Sequence, residues 1–312
     1  MTRSAAPGLL HAPELLHAPE LLHERVLPWY ASATRDLPWR RDDATPWGIF
    51  VSEVMLQQTP VVRVLPVWQE WVQRWPTPAD LAAEAPGEAV RAWGRLGYPR
   101  RALRLHAAAT AMVSRFDGAV PGTEAELLTL PGVGTYTAAA VATFAFGERT
   151  TVVDTNVRRV LARAVEGIEY PATSPTRAEM TRAESLVPVA PREARTWSVA
   201  VMELGALVCT ARTARCDQCP LVDVCAWRLA GHPPHAGPAR RGQSWHGTDR
   251  QLRGRLLAAL RHSTEPVHRS TLEALSDDVV QRERCLDSLV ADGLVEPLDD
   301  DLFALPGGSP ST

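Results

Sequence analysis

The sequence contains no lysine, and all 33 of its basic residues are arginine. No side chain can therefore form a Schiff base or act as a lysine general base. The sequence also lacks an apolar run long enough to cross a membrane and a charged-then-apolar leader, which predicts a cytoplasmic protein without membrane contact. With 45% hydrophobic and 22% charged residues over 312 positions, we expect one or two soluble domains.

The net charge of −3 conceals an uneven distribution along the chain. Residues 207–261 hold nine arginines and three acidic residues, whereas residues 262–312 hold three arginines and eleven acidic residues. The basic stretch allows a polyanionic partner. The acidic end argues against direct phosphate contacts there, because each such contact requires a cation. This acidic tail is instead a candidate surface for a protein partner.

The order of sequence patterns predicts an all-α protein with a short appended unit. Residues 1–21 repeat the pattern Leu-Leu-His-Ala-Pro-Glu and are expected to form a disordered leader. From residue 22 to 230, apolar residues recur at helical spacing, and the tryptophans there are expected to pack in the core. Residues 231–249 form a basic linker. Residues 250–306 contain three helical stretches and a hairpin-like pair, which predicts a small winged-helix-like α+β unit.

Four cysteines, Cys209, Cys216, Cys219 and Cys225, follow the spacing C-x6-C-x2-C-x5-C. Four thiols this close together in a reducing compartment indicate a metal site rather than disulfides. Zinc is a common occupant of C-x2-C pairs. An iron–sulfur cluster is the alternative, because cysteine thiolates are its usual ligands.

A turn with two glycines, Leu130-Pro131-Gly132-Val133-Gly134-Thr135, separates two predicted helical stretches. Its amides would lie at the N-terminus of a helix that begins near Tyr136, where they suit an anion such as a phosphate. An ordinary helix–helix turn would have the same pattern. Further along, Asp154 follows an apolar run at the head of a basic helix, where it would act as an N-cap.

In combination, these motifs resemble the adenine DNA glycosylases of the MutY type. The resemblance covers about residues 22–229 and is carried in order by Leu37-Pro38-Trp39-Arg40, Val51-Ser52-Glu53-Val54-Met55-Leu56-Gln57-Gln58-Thr59, the glycine turn with Tyr136, Asp154 with Asn156, and the cysteine loop. It implies a two-lobed helix-hairpin-helix fold. A six-helix barrel would span about residues 47–142, and residues 22–46 with 143–230 would form a lobe whose four cysteines hold a [4Fe–4S] cluster. The substrate cleft would lie between the lobes.

The resemblance also implies a reaction and the residues that perform it. The partner would be double-stranded DNA with adenine opposite 8-oxoguanine or G, bound by a monomer, with the adenine flipped out of the helix. Glu53, its pKa raised by burial, would protonate the adenine, and Asp154 would stay ionised and stabilise the sugar cation. Tyr136 and Asn156 would orient these groups. The remaining DNA contacts would come from Arg40, Gln57, Gln58, Thr59, Gly132, Val133, Gly134 and Thr135.

Position 136 separates this chain from other glycosylases with the same hairpin. In endonuclease III and the oxidised-guanine glycosylases, a lysine there or one step away attacks the sugar, whereas this chain has Tyr136. We therefore expect a monofunctional glycosylase that leaves the DNA backbone uncut. The alternatives are a bifunctional pyrimidine glycosylase and lyase of the endonuclease III type, a non-catalytic iron–sulfur DNA-binding protein, and a zinc-stabilised adaptor.

The C-terminal segment departs from the pattern of the full-length family members. Those proteins carry a larger C-terminal domain that recognises 8-oxoguanine, and residues 231–312 are too few for it. The choice of the opposite base would then depend on the helical core or on the short tail.

Overall fold

The computed structural model describes residues 18–237 and 245–307. Within these two ranges the chain is mostly helical, with one small antiparallel sheet near its end, which confirms the predicted fold class. None of the described helices is long and apolar enough to cross a membrane. The elements are α1 (Pro19–Ala33), α2 (Pro46–Leu56), α3 (Val61–Arg74), α4 (Pro78–Ala82), α5 (Pro86–Trp93), α6 (Arg100–Arg115), α7 (Glu124–Leu127), α8 (Thr135–Phe146), α9 (Thr155–Ala164), α10 (Arg177–Ser185), α11 (Pro191–Leu207), α12 (Ala226–Leu229), α13 (Asp249–His262), β1 (Val267–His268), α14 (Arg269–Glu273), α15 (Val279–Ala291), β2 (Glu296–Pro297) and β3 (Leu302–Ala304).

Prolines and threonines mark where many of these helices begin. Proline is the first residue of α1, α2, α4, α5 and α11, a position where its missing N–H costs no hydrogen bond. Thr77, Thr123 and Thr176 cap α4, α7 and α10 with reciprocal capping boxes. Helix α1 begins at Pro19, so residues 19–21 of the predicted leader (residues 1–21) belong to this helix. The rest of that prediction, residues 1–17, lies outside the described residues.

The first compact unit consists of residues 18–38 and 142–237 of the described chain. Helix α11 packs against α1 and α9, and all three contribute side chains to one hydrophobic cluster. Glu203 on α11 is fully buried and accepts two hydrogen bonds from Arg35, at 2.8 and 2.6 Å. The paired charge offsets the desolvation of the buried carboxylate and attaches the segment after α1 to α11.

The second compact unit consists of residues 39–141 and 245–307 of the described chain. Tryptophans build much of its interior: Trp71 contacts Trp75 and Trp93 edge-on, with ring centroids 4.8 and 5.6 Å apart. The predicted role of the tryptophans of this unit's helices in core packing is confirmed, because each of the following is buried: Trp39, Trp47, Trp68, Trp71, Trp75 and Trp93.

The C-terminal unit, residues 245–307 and called the tail from here on, has the element order of a winged helix. Helices α13, α14 and α15 accompany a three-stranded sheet in the order β1-β3-β2, with both strand pairs antiparallel. The sequence pattern did not predict β1, since a strand of two residues shows no alternation. The second of the three predicted helical stretches is a helix of five residues that ends at Glu273.

The tail packs directly on α5. The amide of Gly87 donates a hydrogen bond to the Pro306 carbonyl at 2.7 Å, and Arg91 donates to the carbonyls of Arg261 and Ser263. A Cβ added to Gly87 would lie 2.7 Å from the Pro306 oxygen and 2.9 Å from the Cβ of Leu305. Only glycine permits this approach, so the tail has a defined position on the second unit.

Candidate active site

Glu53 lies on α2 in the interior of the second unit. It is 4% exposed, and residues Trp47–Met55 of the same helix are all buried. The Tyr136 hydroxyl on α8 donates a hydrogen bond to Glu53 Oε2 at 3.0 Å. Glu53 and Tyr136, both predicted as site residues, are therefore in contact, because α8 begins directly after the glycine turn.

Arg101 supports the C-terminal end of α2, and the sequence patterns did not single it out. Its guanidinium donates hydrogen bonds to the carbonyls of Val54, Met55 and Gln57 at 2.9, 2.9 and 2.6 Å. A second nitrogen donates to the Thr59 hydroxyl at 2.8 Å. Burial lowers the pKa of Arg101 to about 10, which leaves it charged at neutral pH. This cation satisfies carbonyls that a helix end leaves without partners.

The other predicted residues near this helix end differ in exposure. Thr59 was expected at the DNA surface, but it is buried, because its hydroxyl serves the Arg101 network. Gln57 donates from its amide to the Thr137 hydroxyl at 3.1 Å, and Gln58 is exposed with a φ of 56°. Arg40 is half-buried in a short 3-10 turn.

The glycine turn before α8 has the geometry that an exposed anion site requires. Gly132 has a φ of 76°, and residues 131, 132, 134 and 135 are exposed while Val133 is partly exposed. A Cβ added to Gly132 would lie 2.6 Å from the Cβ of Arg104. Glycine is thus needed here for its conformation and for the close packing of Arg104. This exposed turn before α8 stays the predicted phosphate site.

Asp154 belongs to the first unit, where it caps α9 as predicted. Its Oδ1 accepts hydrogen bonds from the amides of Asn156 and Val157 at 2.8 and 2.7 Å. Its Oδ2 accepts a third from the Asn156 side chain at 2.8 Å. Burial raises the pKa of Asp154, although these hydrogen bonds and the charge of Arg159 oppose the increase.

Arg159 holds the Asn156 side chain in one orientation. Its guanidinium donates to Asn156 Oδ1 at 2.7 Å and to the Gly205 carbonyl at 2.6 Å. A Cβ added to Gly205 would lie 2.7 Å from the Cβ of Asn156, so α11 approaches this residue closely. The Asn156 amide nitrogen is consequently directed at Asp154. Sequence patterns did not single out Gly205, because its contacts with Arg159 and Asn156 join distant parts of the chain. They did not single out Arg159 either, because an arginine three residues after an asparagine forms no recognisable motif.

The four cysteines line one cavity in the first unit, together with Arg163 and Trp227. Arg163 donates to the Cys209 sulfur at 3.5 Å, and the Cys225 thiol donates to the Arg163 carbonyl at 3.5 Å. Burial raises the pKa of the Cys219 thiol to about 12. In the described part of the chain, no three His, Cys, Asp or Glu side chains form a site for a single metal ion. The all-sulfur donor set suits a soft metal centre such as an iron–sulfur cluster.

Comparisons with known proteins define the class. Residues 51–190 match the family described as HhH-GPD superfamily base excision DNA repair protein. A solved thermostable thymine-DNA glycosylase has a TM-score of 0.61 and 27% identity, covering 68% of this chain and 97% of that one. Endonuclease III in a non-covalent DNA complex has the same fold, with a TM-score of 0.57 and 21% identity over 72% of this chain and 100% of that one. Fold and site thus define a helix-hairpin-helix base-excision repair protein.

Curated relatives narrow this class. The adenine DNA glycosylase of Mycobacterium tuberculosis H37Rv is 55% identical over 284 residues, covering 90% of this chain and 92% of that protein. The human adenine DNA glycosylase is 42% identical over 213 residues, covering 65% of this chain and 38% of that protein. The chain belongs to the adenine DNA glycosylase family, as the sequence motifs predicted.

Proposed function

We propose that this adenine DNA glycosylase hydrolyses the bond between adenine and deoxyribose where the adenine lies opposite 8-oxoguanine or guanine in double-stranded DNA. The observation that carries the proposal is the buried Glu53 carboxyl with the Tyr136 hydroxyl 3.0 Å from it, in a chain of this family. Release of a base from DNA requires a proton for the leaving base, and Glu53 is the acid placed to supply it.

Burial supports this role for Glu53. A carboxyl group that is 4% exposed loses most of its hydration when ionised, so its neutral form is favoured. The Tyr136 hydroxyl fixes the orientation of the carboxyl group through one of its oxygens. As the glycosidic bond breaks, its electron pair goes to the adenine, which takes the Glu53 proton at a ring nitrogen.

Asp154 has the opposite task in this proposal. Three hydrogen bonds to its oxygens stabilise the ionised carboxylate and fix its orientation. That negative charge would stabilise the positive charge that develops on the sugar. Addition of water to the sugar carbon then completes the hydrolysis, with adenine and an abasic site as products.

The backbone of the DNA stays intact in this proposal. A lyase step through a Schiff base needs an amine that attacks the sugar, and the chain has no lysine. The position next to Glu53 that a lysine would need is held by Tyr136, whose hydroxyl is engaged with the carboxyl.

We further propose that Cys209, Cys216, Cys219 and Cys225 hold a [4Fe–4S] cluster. Four sulfurs and no carboxylate line the cavity, and Arg163 adds a positive charge beside Cys209 that would stabilise a negatively charged cluster. The cluster would link the loop of residues 209–225 to α9, since Arg163 lies on that helix. Its role in this proposal is to hold the fold of the first unit.

Substitution of either carboxylate should abolish most of the activity. Glu53→Gln and Asp154→Asn should each lower the single-turnover rate of adenine release by about 10²–10⁴-fold, because they remove the proton donor and the stabilising charge. Gln can still accept the Tyr136 hydrogen bond, so the melting temperature of Glu53→Gln should stay near the wild-type value. Asn at position 154 can still cap α9 but loses the hydrogen bond from the Asn156 side chain, so Asp154→Asn should melt a few degrees lower while remaining folded. Rates are measured on A:8-oxoguanine duplexes, with A:G, A:C and thymine glycol duplexes as controls. Unchanged rates in either variant would contradict the proposed roles.

Asn156→Ala should shift the pH dependence of the reaction. Ionised Asp154 is lost as pH falls through its pKa, and the Asn156 side chain lowers that pKa. Removing this donor raises the pKa, so the acid limb of the single-turnover rate should move to higher pH while the two cap hydrogen bonds from the backbone remain. Glu53→Gln serves as the control, because it should leave the acid limb in place. An acid limb that stays fixed or moves to lower pH in Asn156→Ala would exclude the assignment.

Borohydride should not trap this protein on DNA. Reduction captures a Schiff base as a covalent adduct, and here the only remaining primary amine is the chain's N-terminal amine. Incubation with an A:8-oxoguanine duplex and borohydride should release adenine without a stable adduct, whereas a bifunctional endonuclease III run in parallel on its own substrate should be captured. Strong capture of this chain would refute the monofunctional assignment.

The purified protein should contain about four iron atoms and four sulfide ions per chain and absorb broadly in the visible range. Cys219→Ser should lose this absorption, whereas Cys285→Ser, a buried cysteine outside the loop, should keep it. A colourless protein with one zinc ion per chain would support the zinc alternative instead.

A further inference from the structure

A basic groove crosses the second unit between the tail and helices α3, α5 and α6, which are called the barrel helices here. It has a volume of about 1770 Å³ and lies between the loop before α6, the start of α6, and α13 of the tail. Ten arginines line it, against a single aspartate and no glutamate. Gln57 and Gln58, which follow Glu53 at the end of α2, also line this groove.

Half of these arginines have partners within the protein. Arg101 is committed to the end of α2, and Arg91 to carbonyls of the tail. Arg253 and Arg100 both pair with the groove's one aspartate, Asp292, at 2.5 and 3.2 Å. Arg261 is half-buried and donates to the Leu257 carbonyl. These contacts hold the walls together and neutralise the aspartate.

The other five arginines are exposed, and none forms an ion pair among the described residues: Arg63, Arg95, Arg104, Arg250 and Arg255. The first three come from the barrel helices and their loop, and the last two from the tail. The Arg250 guanidinium lies 4.9 Å from the Tyr98 ring and 5.7 Å from the Trp245 ring. The rings orient this cation without cancelling its charge. Arg63 also donates a hydrogen bond to the Arg95 carbonyl, which leaves its charge uncancelled. Five guanidinium groups without an ion pair in one groove repel one another, so the binding of an anion there is favoured.

Among the acidic residues of the described tail, Asp292 alone lines this groove. Arg284 pairs with Asp249 at 2.7 Å, and Arg269 pairs with Glu283 at 2.9 Å and with Asp301 at 3.3 Å. The negative net charge of the tail therefore conceals a positive wall on α13. The acidic residues 262–312 argued against phosphate contacts, but α13 begins before them, at Asp249.

We propose that α13 of the tail and the barrel helices together bind the phosphate backbone of duplex DNA in this groove. The inference rests on the proposed function only for the identity of the ligand as DNA. Guanidinium groups match phosphate oxygens in geometry, and a row of them contributed by two segments fits an extended polyanion better than a compact one. Because Gly87 and Arg91 fix the tail on α5, the wall is formed before DNA arrives.

The first test removes the unpaired charges of the tail. Arg250→Ala/Arg255→Ala should weaken binding to an undamaged duplex by about 10-fold and reduce the slope of log Kd against log salt by about 1 per lost contact. Arg269→Ala removes an arginine of the same tail whose partners Glu283 and Asp301 lie outside the groove, so it should change Kd by less than about 2-fold. Equal Kd values in the double variant and this control would overturn the proposal.

The second test adds charge without removing any arginine. Gly254 lies on α13 between Arg250 and Arg255, is exposed, and has nothing within 4 Å of an added Cβ. Gln and Glu are both better helix formers than Gly, so neither substitution should harm folding. Gly254→Glu should bind duplex more weakly than Gly254→Gln, by about 3-fold or more, because only the first brings a negative charge to the phosphates. Equal binding by this pair would contradict the proposal.

Adenine release by the wild-type protein separates this inference from the proposed function. Duplex binding that depends on Arg250 and Arg255, with no release of adenine, would refute the function and leave the groove assignment intact. Adenine release with binding that does not depend on them would refute the groove assignment alone.

Discussion

The hydrogen bonds that Arg101 makes at the end of α2 are the constraint on which the second unit depends. The buried guanidinium of Arg101, on α6, donates hydrogen bonds to three carbonyls at the end of α2 and to the Thr59 hydroxyl. These bonds hold α2 against α6. Glu53 directly precedes Val54, the first of these carbonyl residues, so its position is fixed by the same cation. Arg104, one turn further along α6, packs on Gly132 of the glycine turn. The carboxyl, the turn and the basic groove therefore share a single support.

The two carboxylates are held by different means, which suits the different tasks proposed for them. Glu53 is buried and accepts a hydrogen bond from the Tyr136 hydroxyl, and burial disfavours the ionised form of a carboxyl group. Asp154 receives three N–H donors, and Arg159 fixes the amide that supplies one of them. Burial still raises the pKa of Asp154. The hydrogen bonds thus oppose the effect of burial on this pKa, and their loss would matter more than for an exposed aspartate.

Local sequence patterns predicted the helices, the buried tryptophans, the cap at Asp154 and the family. Each of these depends on spacing within a short segment or on a motif. Arg101, Arg159 and the docking of the tail were not predicted, because their partners lie far away in the chain and an arginine in a helix carries no mark of its partner. Thr59 was misjudged for the same reason: its hydroxyl is buried by a residue 42 positions away. The net charge of residues 262–312 did not predict the basic groove, because a net charge sums over all faces of a segment. A ligand contacts one face, and the arginines of α13 lie on the face that lines the groove.

The absence of lysine is related to what the arginines do in the structure. Lysine presents a compact ammonium, whereas arginine presents a planar fork whose nitrogens can reach several acceptors at once. Arg101, Arg159 and Arg163 each bind two or more carbonyls or side chains from separate segments, which a lysine could not do from one position. The same side chain serves as an internal clamp when buried and as a phosphate ligand when exposed. A chain built only with arginine can thus hold its fold and bind DNA, while no side-chain amine is left to attack the sugar.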